Sequence, residues 1–491
     1  MENSSGDSWA SSNLLHAWLT DHCERARKNR RDDPSYFNSD PGTLVTKAEV
    51  HSFAVGTGDS IVSSLIPAIE SAEAEVVIVT CFWAKSSSSQ RISNALRVLS
   101  SKGIERGRSV SVRICFSSLS IFQKLFHTTS LNGYIYPSST WVTRFGLPPA
   151  KELRGLDLVV KSIFVRPFSV MHPKFVIVDR KRVWLPSCNI SWEDWFEGCL
   201  ELTGPVVGQF VRFWEQFWYR DDLRMMSAVT ILDGNIMGDQ ETNVPNTFQH
   251  PERLRETKLD GASARVLPRT LDIYLRDVRT IFLPSPHHVN PRFRPLPWQD
   301  APPPPPTPLN TFMLRLITTA TSDVYIQTPN LTAPPVLSVL LAALRRGVNV
   351  HIVTSERLMI LEQLVTAGTT TSRCVRKLVK VHKRLLAGTS GVPSDVEHGY
   401  VQKPGALRIY YYQPCLTTPK SRPEPVQSHL KLTVVDGNIT VLGSGNMDRA
   451  SWYTSQELGV AFFSRELAEK IRSTVAQAME SRTRVCYSSS P

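Results

Sequence analysis

Two histidines, each followed by a lysine two positions on and an aspartate five beyond that, define the chemistry this chain could do. The first set reads MHPKFVIVDRKRVWLPSCN and places His172, Lys174, Asp179, Ser187 and Asn189. The second reads SHLKLTVVDGNITVLGSGN and places His429, Lys431, Asp436, Ser444 and Asn446 at the same intervals. A glutamate closes each set, Glu457 in the second copy and, displaced by a single residue, Glu201 in the first. With 12 histidines and residue usages of roughly one in twenty, HxKxxxxD should occur by chance about 0.03 times. Two occurrences with the same downstream Ser and Asn mark an internal duplication.

An imidazole can act as nucleophile or as general acid and base, and an ammonium can hold charge on a phosphoryl oxygen. On a strand, residues two apart share a face. The pattern therefore predicts His429 beside Lys431 on one face, with Leu430, Leu432 and Val434 packed on the other; Phe175, Ile177 and Val183 serve the first copy in the same way. Asp436 has the other parity and precedes Gly437 and Asn438, so it is expected to fix a hairpin turn. After the hairpin, Ser444 and Asn446, like Ser187 and Asn189, could donate to a phosphoryl oxygen. Two such sets make one phosphate-sized site.

This constellation resembles the phospholipase D superfamily, the HKD phosphodiesterases, over most of the chain. The resemblance implies that the two motifs, one from each pseudo-symmetric half, meet at a single active site that needs no metal or other cofactor. It implies that one histidine attacks phosphorus to form a covalent phosphohistidine while the other protonates the leaving alcohol. It assigns His172, Lys174, Asn189, His429, Lys431 and Asn446 to the reacting centre, with His172 as nucleophile. Ser187 and Ser444 become helpers, and Glu201 and Glu457 orient the histidines. The chain departs from the family pattern at Pro186, where a glycine is usual, and at Cys199 and Ser455, where an asparagine is expected two residues before the glutamate.

The elements that must position these residues follow from the rest of the chain. Its 491 residues exceed what one core usually covers. Hydrophobic patterning alternates apolar strands (Val76 to Thr80, Val110 to Phe116, Val324 to Thr328, Val348 to Thr354) with helices (to Ile69 from an N-cap at Asp59, Ile92 to Ser100, Pro335 to Arg345). Such alternation predicts an α/β fold of two pseudo-symmetric α/β sandwich domains with mixed, partly parallel sheets and one motif each. One further strand is expected just before each motif, Ser162 to Pro167 and Ile409 to Pro414. The expected organisation is a polar and basic tail over 1–44, a first domain over 45–225, an inter-domain segment over 226–264 and a second domain over 265–491. The second domain carries a Pro-rich loop at 284–308 and a basic insertion at 355–400.

A formal charge of +12 and a pI near 9.4 favour a polyanionic partner. The eight cysteines include no CxxC pair and read as reduced thiols. No stretch approaches the roughly 18 apolar residues of a spanning helix, and the polar start carries no secretory pattern. The expectation is an intracellular protein, cytoplasmic or peripherally associated with membrane. Phe210, Phe213, Trp214 and Phe217 at helical spacing read as a packing stripe rather than a lipid-docking face. Arg373, Arg376, Lys377, Lys380, Lys383 and Arg384 share one face of a helix whose other face carries Cys374, Leu378, Val381 and Leu385. That helix fits an anionic membrane interface or a solvated cap.

Taken together, the sequence points to a phosphodiesterase that hydrolyses glycerophospholipids or transfers their phosphatidyl group, as in the phospholipase D and cardiolipin synthase branches. A nuclease of the same superfamily is the alternative. A catalytically silent membrane or nucleic-acid binding protein is disfavoured because both reactive sets are intact.

Overall fold

The structure is a computed structural model, and it describes residues 13–22, 34–118, 133–165, 169–219, 267–286, 303–389, 403–416 and 424–489. The expected inter-domain segment, most of the Pro-rich loop and the end of the basic insertion lie outside the described residues. In the first half the order is β1 (Val45–Gly56), α1 (Gly58–Ser71), β2 (Glu75–Phe82), α2 (Ser87–Glu105), β3 (Val110–Ser118), β4 (Leu156–Ser162), β5 (Phe175–Val178), β6 (Arg182–Pro186), β7 (Trp195–Thr203) and α3 (Val206–Phe217). The second half repeats it with β8 (Arg269–Ser285), α4 (Pro308–Thr319), β9 (Asp323–Thr328), α5 (Pro334–Arg345) and β10 (Asn349–Thr354). There α6 (Ile360–Ala367) and α7 (Thr371–Thr389) are inserted. The chain then continues through β11 (Leu407–Tyr412), β12 (Leu432–Val435), β13 (Ile439–Gly443), α8 (Arg449–Tyr453), β14 (Glu457–Phe463), α9 (Arg465–Ala478) and β15 (Thr483–Ser488).

Strand pairing makes the duplication geometric. In the first half β4, β3 and β2 are parallel neighbours, and β5, β6, β7 and β1 follow antiparallel. In the second half β11, β10 and β9 are parallel, followed antiparallel by β12, β13, β14 and β8. The halves join where β1 pairs antiparallel with β8, Val45 opposite Ile281 and Val55 opposite Arg269. One mixed sheet therefore runs unbroken through both halves, with an approximate twofold axis at the β1/β8 seam.

Local sequence explains the elements. The parallel strands are near-continuous apolar runs because helices cover them; Val76, Val77, Ile78 and Val79 are all buried. Helix α1 turns Ile61, Val62, Leu65 and Ile69 inward. Its N-cap is Thr57, not the expected Asp59, and Thr307 plays the same role for α4. Asp59 instead forms an ion pair with Arg91 on α2. The strand expected over Ser162 to Pro167 is met in part, by the end of β4 and a short strand at Phe164–Val165, with residues 166–168 outside the described residues; that expected over Ile409 to Pro414 lies two residues earlier, as β11. The aromatic stripe of α3 is packing material across the seam: Phe210 meets Phe175 at 5.4 Å and Phe282 of β8 at 5.0 Å.

Candidate active site

Each His–Lys pair sits in extended backbone just before its strand, β5 or β12, rather than within it. The lysines are almost fully buried, and each ammonium reaches back to the carbonyl of its own histidine: Lys174 Nζ to His172 O at 2.8 Å, Lys431 Nζ to His429 O at 2.6 Å. The two aspartates are remote from this chemistry. Asp436 has φ 52° and accepts from the backbone N–H of Thr321, Ser322 and Asp323. Asp179 does the same with Glu73, Ala74 and Glu75. Each carboxylate therefore locks the start of a parallel strand to the hairpin beside it, a larger task than the expected turn-fixing. The turn itself has three residues, since Val435 faces Ile439.

The histidines are held across the halves. His172 Nδ1 meets Glu457 Oε2 at 2.8 Å, and His429 Nδ1 meets Glu197 Oε1 at 2.8 Å. Backbone stitches set up the exchange: His172 N donates to Gln456 O at 2.9 Å, and His429 N donates to Phe196 O at 2.9 Å. The residue preceding each glutamate thus carries the main-chain acceptor for the opposite histidine.

Glu197, not Glu201, is therefore the first-half counterpart of Glu457. The pairing of Ser187 N with Gly198 O matches that of Ser444 N with Leu458 O, so positions 197 and 457 coincide. Glu201 lies four residues further along β7, about 13 Å away at ~3.3 Å per residue. There it accepts from Ser52 Oγ at 3.0 Å and faces Arg182. The second copy is three residues longer because α8 is inserted between Asn446 and Glu457. The serines also differ from expectation: Ser187 Oγ donates to Glu197 Oε2, and Ser444 Oγ donates to Glu457 Oε2 at 2.5 Å. Both hydroxyls therefore fix the carboxylates rather than face a phosphoryl group.

Asn446 Nδ2 donates to Asp448 Oδ2 at 3.1 Å. The side-chain oxygens of Asn446 and Asn189 are both buried without a hydrogen-bond partner among the described residues. Two further side chains escaped sequence reasoning. The Trp195 ring lies 4.7 Å from the His429 ring, and Glu193, with a buried unpartnered Oε2, sits close enough to feel both Glu197 and Lys174. Burial, reinforced by Glu197, raises the Glu193 carboxyl to about 7. Neither residue belongs to the repeated pattern, because the Asn189–Glu197 loop differs in length and sequence from its counterpart, Asn446–Glu457.

The electrostatics follow from dryness. Burial pulls His172 down to about 4 and His429 to about 3, against the opposite pull of Glu457 and Glu197. Lys431 falls to about 7, again chiefly through burial, with the Lys174 charge adding to the shift. Both glutamates stay below the usual carboxylate range: burial would raise them, but their histidines and hydrogen bonds outweigh it. The resting site therefore pairs neutral imidazoles with carboxylates. Nδ1–H faces Glu, and Nε2 is the ring nitrogen left for other chemistry. Lysines from both halves act on both histidines, so the two motifs form one site.

Comparison with known proteins bears on the fold. Residues 313–479 match the family model described as cardiolipin synthase, PLD-like domain. No curated protein sequence matches. Among solved structures, the phosphatidylserine synthase of Haemophilus influenzae Rd KW20 shares the fold with a TM-score of 0.51 and 13% identity, covering 94% of this chain and 92% of that one. Polyphosphate kinase from Porphyromonas gingivalis aligns at TM-score 0.44 and 12% identity, covering 89% of this chain and 49% of its own. Nuc, a phospholipase D family member from Salmonella typhimurium, aligns at TM-score 0.27 and 18% identity over 43% of this chain and 98% of its own. Residues 313–479 are thus similar to the phospholipase D-like domain of that family, and the chain as a whole shares the fold of the phosphatidylserine synthase.

Proposed function

We propose that this protein is a metal-independent phosphodiesterase that hydrolyses glycerophospholipids, or transfers their phosphatidyl group to an alcohol, through a covalent phosphohistidine. The observation that carries the reading is the crossed pairing of His172 with Glu457 and His429 with Glu197, beside two buried lysines. His172 is assigned as nucleophile; its side chain is 13% exposed against 4% for His429, which the Trp195 ring covers. His429 takes up a proton on Nε2 as the anionic diester binds; the His172 Nε2 lone pair then forms the P–N bond as the P–O bond to the leaving alcohol breaks, and that His429 proton passes to the leaving oxygen. Neutral His429 then takes a proton from water or an acceptor alcohol, whose oxygen displaces His172 and returns the bond pair to its nitrogen. Lys174, Lys431, Asn189 and Asn446 hold the non-bridging oxygens. Dividing the displacement lets the same two rings serve both steps.

Phospholipid is the favoured substrate because the matching family model and the phosphatidylserine synthase with the same fold are both named for phospholipid chemistry. A net charge of +12 suits an anionic diester. The test incubates the purified protein with a phospholipid panel and a primary alcohol in the presence of EDTA, with single-stranded DNA assayed in parallel. Phosphatidyl alcohol should form, and a trapped adduct should map to His172 by mass spectrometry of the denatured protein. Cleavage of DNA without action on lipid would make the protein a nuclease; an adduct on His429 would exchange the two roles.

A further inference from the structure

Helix α6 is built inside out. Its one buried side chain is the amide Gln363, while Met359, Ile360, Leu361, Leu364 and Val365 point to solvent, Leu361 at 79% and Val365 at 70% exposure. Of the fifteen large apolar side chains exposed among the described residues, these five fall within seven consecutive positions. At 100° per residue, Ile360, Leu361, Leu364 and Val365 span an arc of about 140°, and Glu362 falls outside it. An apolar patch of this kind on an outward face marks a surface meant to be covered.

The helix is pinned to the candidate active site. The Gln363 amide meets the Asn330 amide at 2.8 Å and accepts from Thr371 N at 2.6 Å. Asn330 lies 3.5 Å from Asp448 Oδ2, which in turn holds Asn446. On the other side, Ser355, at the end of β10, donates to Ser428 O next to His429 at 3.0 Å. Helix α7 begins at the residue bonded to Gln363, and its first turns expose Arg373, Arg376 and Lys377. Beyond them Lys380, Lys383 and Arg384 border an open groove of about 550 Å³.

We propose that α6 is the membrane-docking element: its apolar face sinks into the outer layer of an anionic phospholipid surface while the bases of α7 meet the headgroups. The proposal rests on the phospholipid reading of the site and adds how that substrate is reached. Apolar insertion and cationic contact on adjacent helices are the two contributions interfacial binding combines, and the bases fix the sign of the lipid charge. Tying the inserted helix to Asn446 would set the active site at a fixed depth beside the headgroups.

The test uses the full chain, vesicles of phosphatidylcholine with or without phosphatidylglycerol, and a water-soluble nitrophenyl phosphodiester. The wild type should bind the anionic vesicles in a salt-sensitive way, with amide hydrogen exchange slowed over residues 359–367. Leu361→Glu with Val365→Glu should weaken vesicle binding and vesicle turnover by roughly tenfold or more and leave turnover of the soluble diester unchanged. Unchanged binding of this variant, or no protection of 359–367 in vesicle-bound protein, would overturn the proposal. So would a dimer that the double substitution dissolves, since the face would then meet a second copy of the chain. Vesicle binding without turnover of any diester would instead remove the proposed chemistry and leave the docking surface standing.

Discussion

Glu197 and Glu201 differ by one turn of strand alternation repeated twice, and the site depends on which one faces His429. Exchanging Glu197 for Gln should leave the ring without its anionic partner and lower kcat by about 10²- to 10⁴-fold, the range for loss of an oriented acid–base group. Glu201→Gln, which touches only Ser52 and Arg182, should stay within about twofold. Steady-state kinetics on the folded variants decides between them. The clustering of the two histidines with the two lysines was legible because strict spacing survives duplication. Glu197 was not, because α8 lengthens one copy by three residues and makes Glu201 the better match by counting. Trp195 and Glu193 left no trace in the repeat for the same reason.

The same residues make the site pH-sensitive in a defined direction. His172 and His429 titrate near 4 and 3 when folded, against an ordinary value of 6.5. The unfolded chain therefore binds more protons below about pH 6.5, and stability falls as the pH drops from there towards 4. The substrate-free Tm should decline over that window, and a His172→Ala/His429→Ala variant should decline less. A phosphodiester anion reverses the local balance by adding negative charge beside His429. Bound vanadate should accordingly leave His429 doubly protonated at pH 7 by NMR; a ring still neutral in that complex would remove its role as acid.

Among the elements, the strands read from apolar runs appear where expected, and their limits move where side-chain caps rule instead of hydropathy. The clearest case is Asp436, expected at a turn and found clamping three consecutive N–H groups of the segment entering β9. Sequence parity shows that it does not face substrate; it cannot show a partner 113 residues away. Replacing Asp436 by Ala orphans those donors and should lower stability by about 2–4 kcal/mol, given ~1.5–3 kcal/mol for a hydrogen bond to a charged group and the non-additivity of three. Burial raises its carboxyl, but the three donors outweigh this and hold it below 3.8, so this stability is present above that pH and disappears as pH falls through the folded value. Chemical denaturation at pH 7 measures the loss; a change in kcat larger than the change in folded fraction would mean that the clamp also positions His429. Helix α6 was illegible as a docking element for the opposite reason: its outward apolar face has the periodicity of a buried one.

At the scale of the molecule, the duplication predicted two similar halves, and the pairing order around the β1/β8 seam realises it in one sheet. The charge of +12 and the apolar runs could not reveal that seam, because antiparallel pairing between halves leaves no sequence signature beyond the strands themselves. We propose that residues 45–225 and 265–491 are the duplicated units. A chain cut within 226–264 tests this: the two fragments should be inactive apart, and co-expression should restore turnover.

The crossed glutamates carry a consequence for how this sequence can change over time. Each histidine depends on a carboxylate encoded more than two hundred residues away, 285 positions for His172 and 232 for His429. Loss of Glu457 or Glu197 in one half therefore removes the carboxylate that holds the histidine of the other, so the two copies are constrained together. The duplication supplied no spare: it bound two former equals into one unit of inheritance.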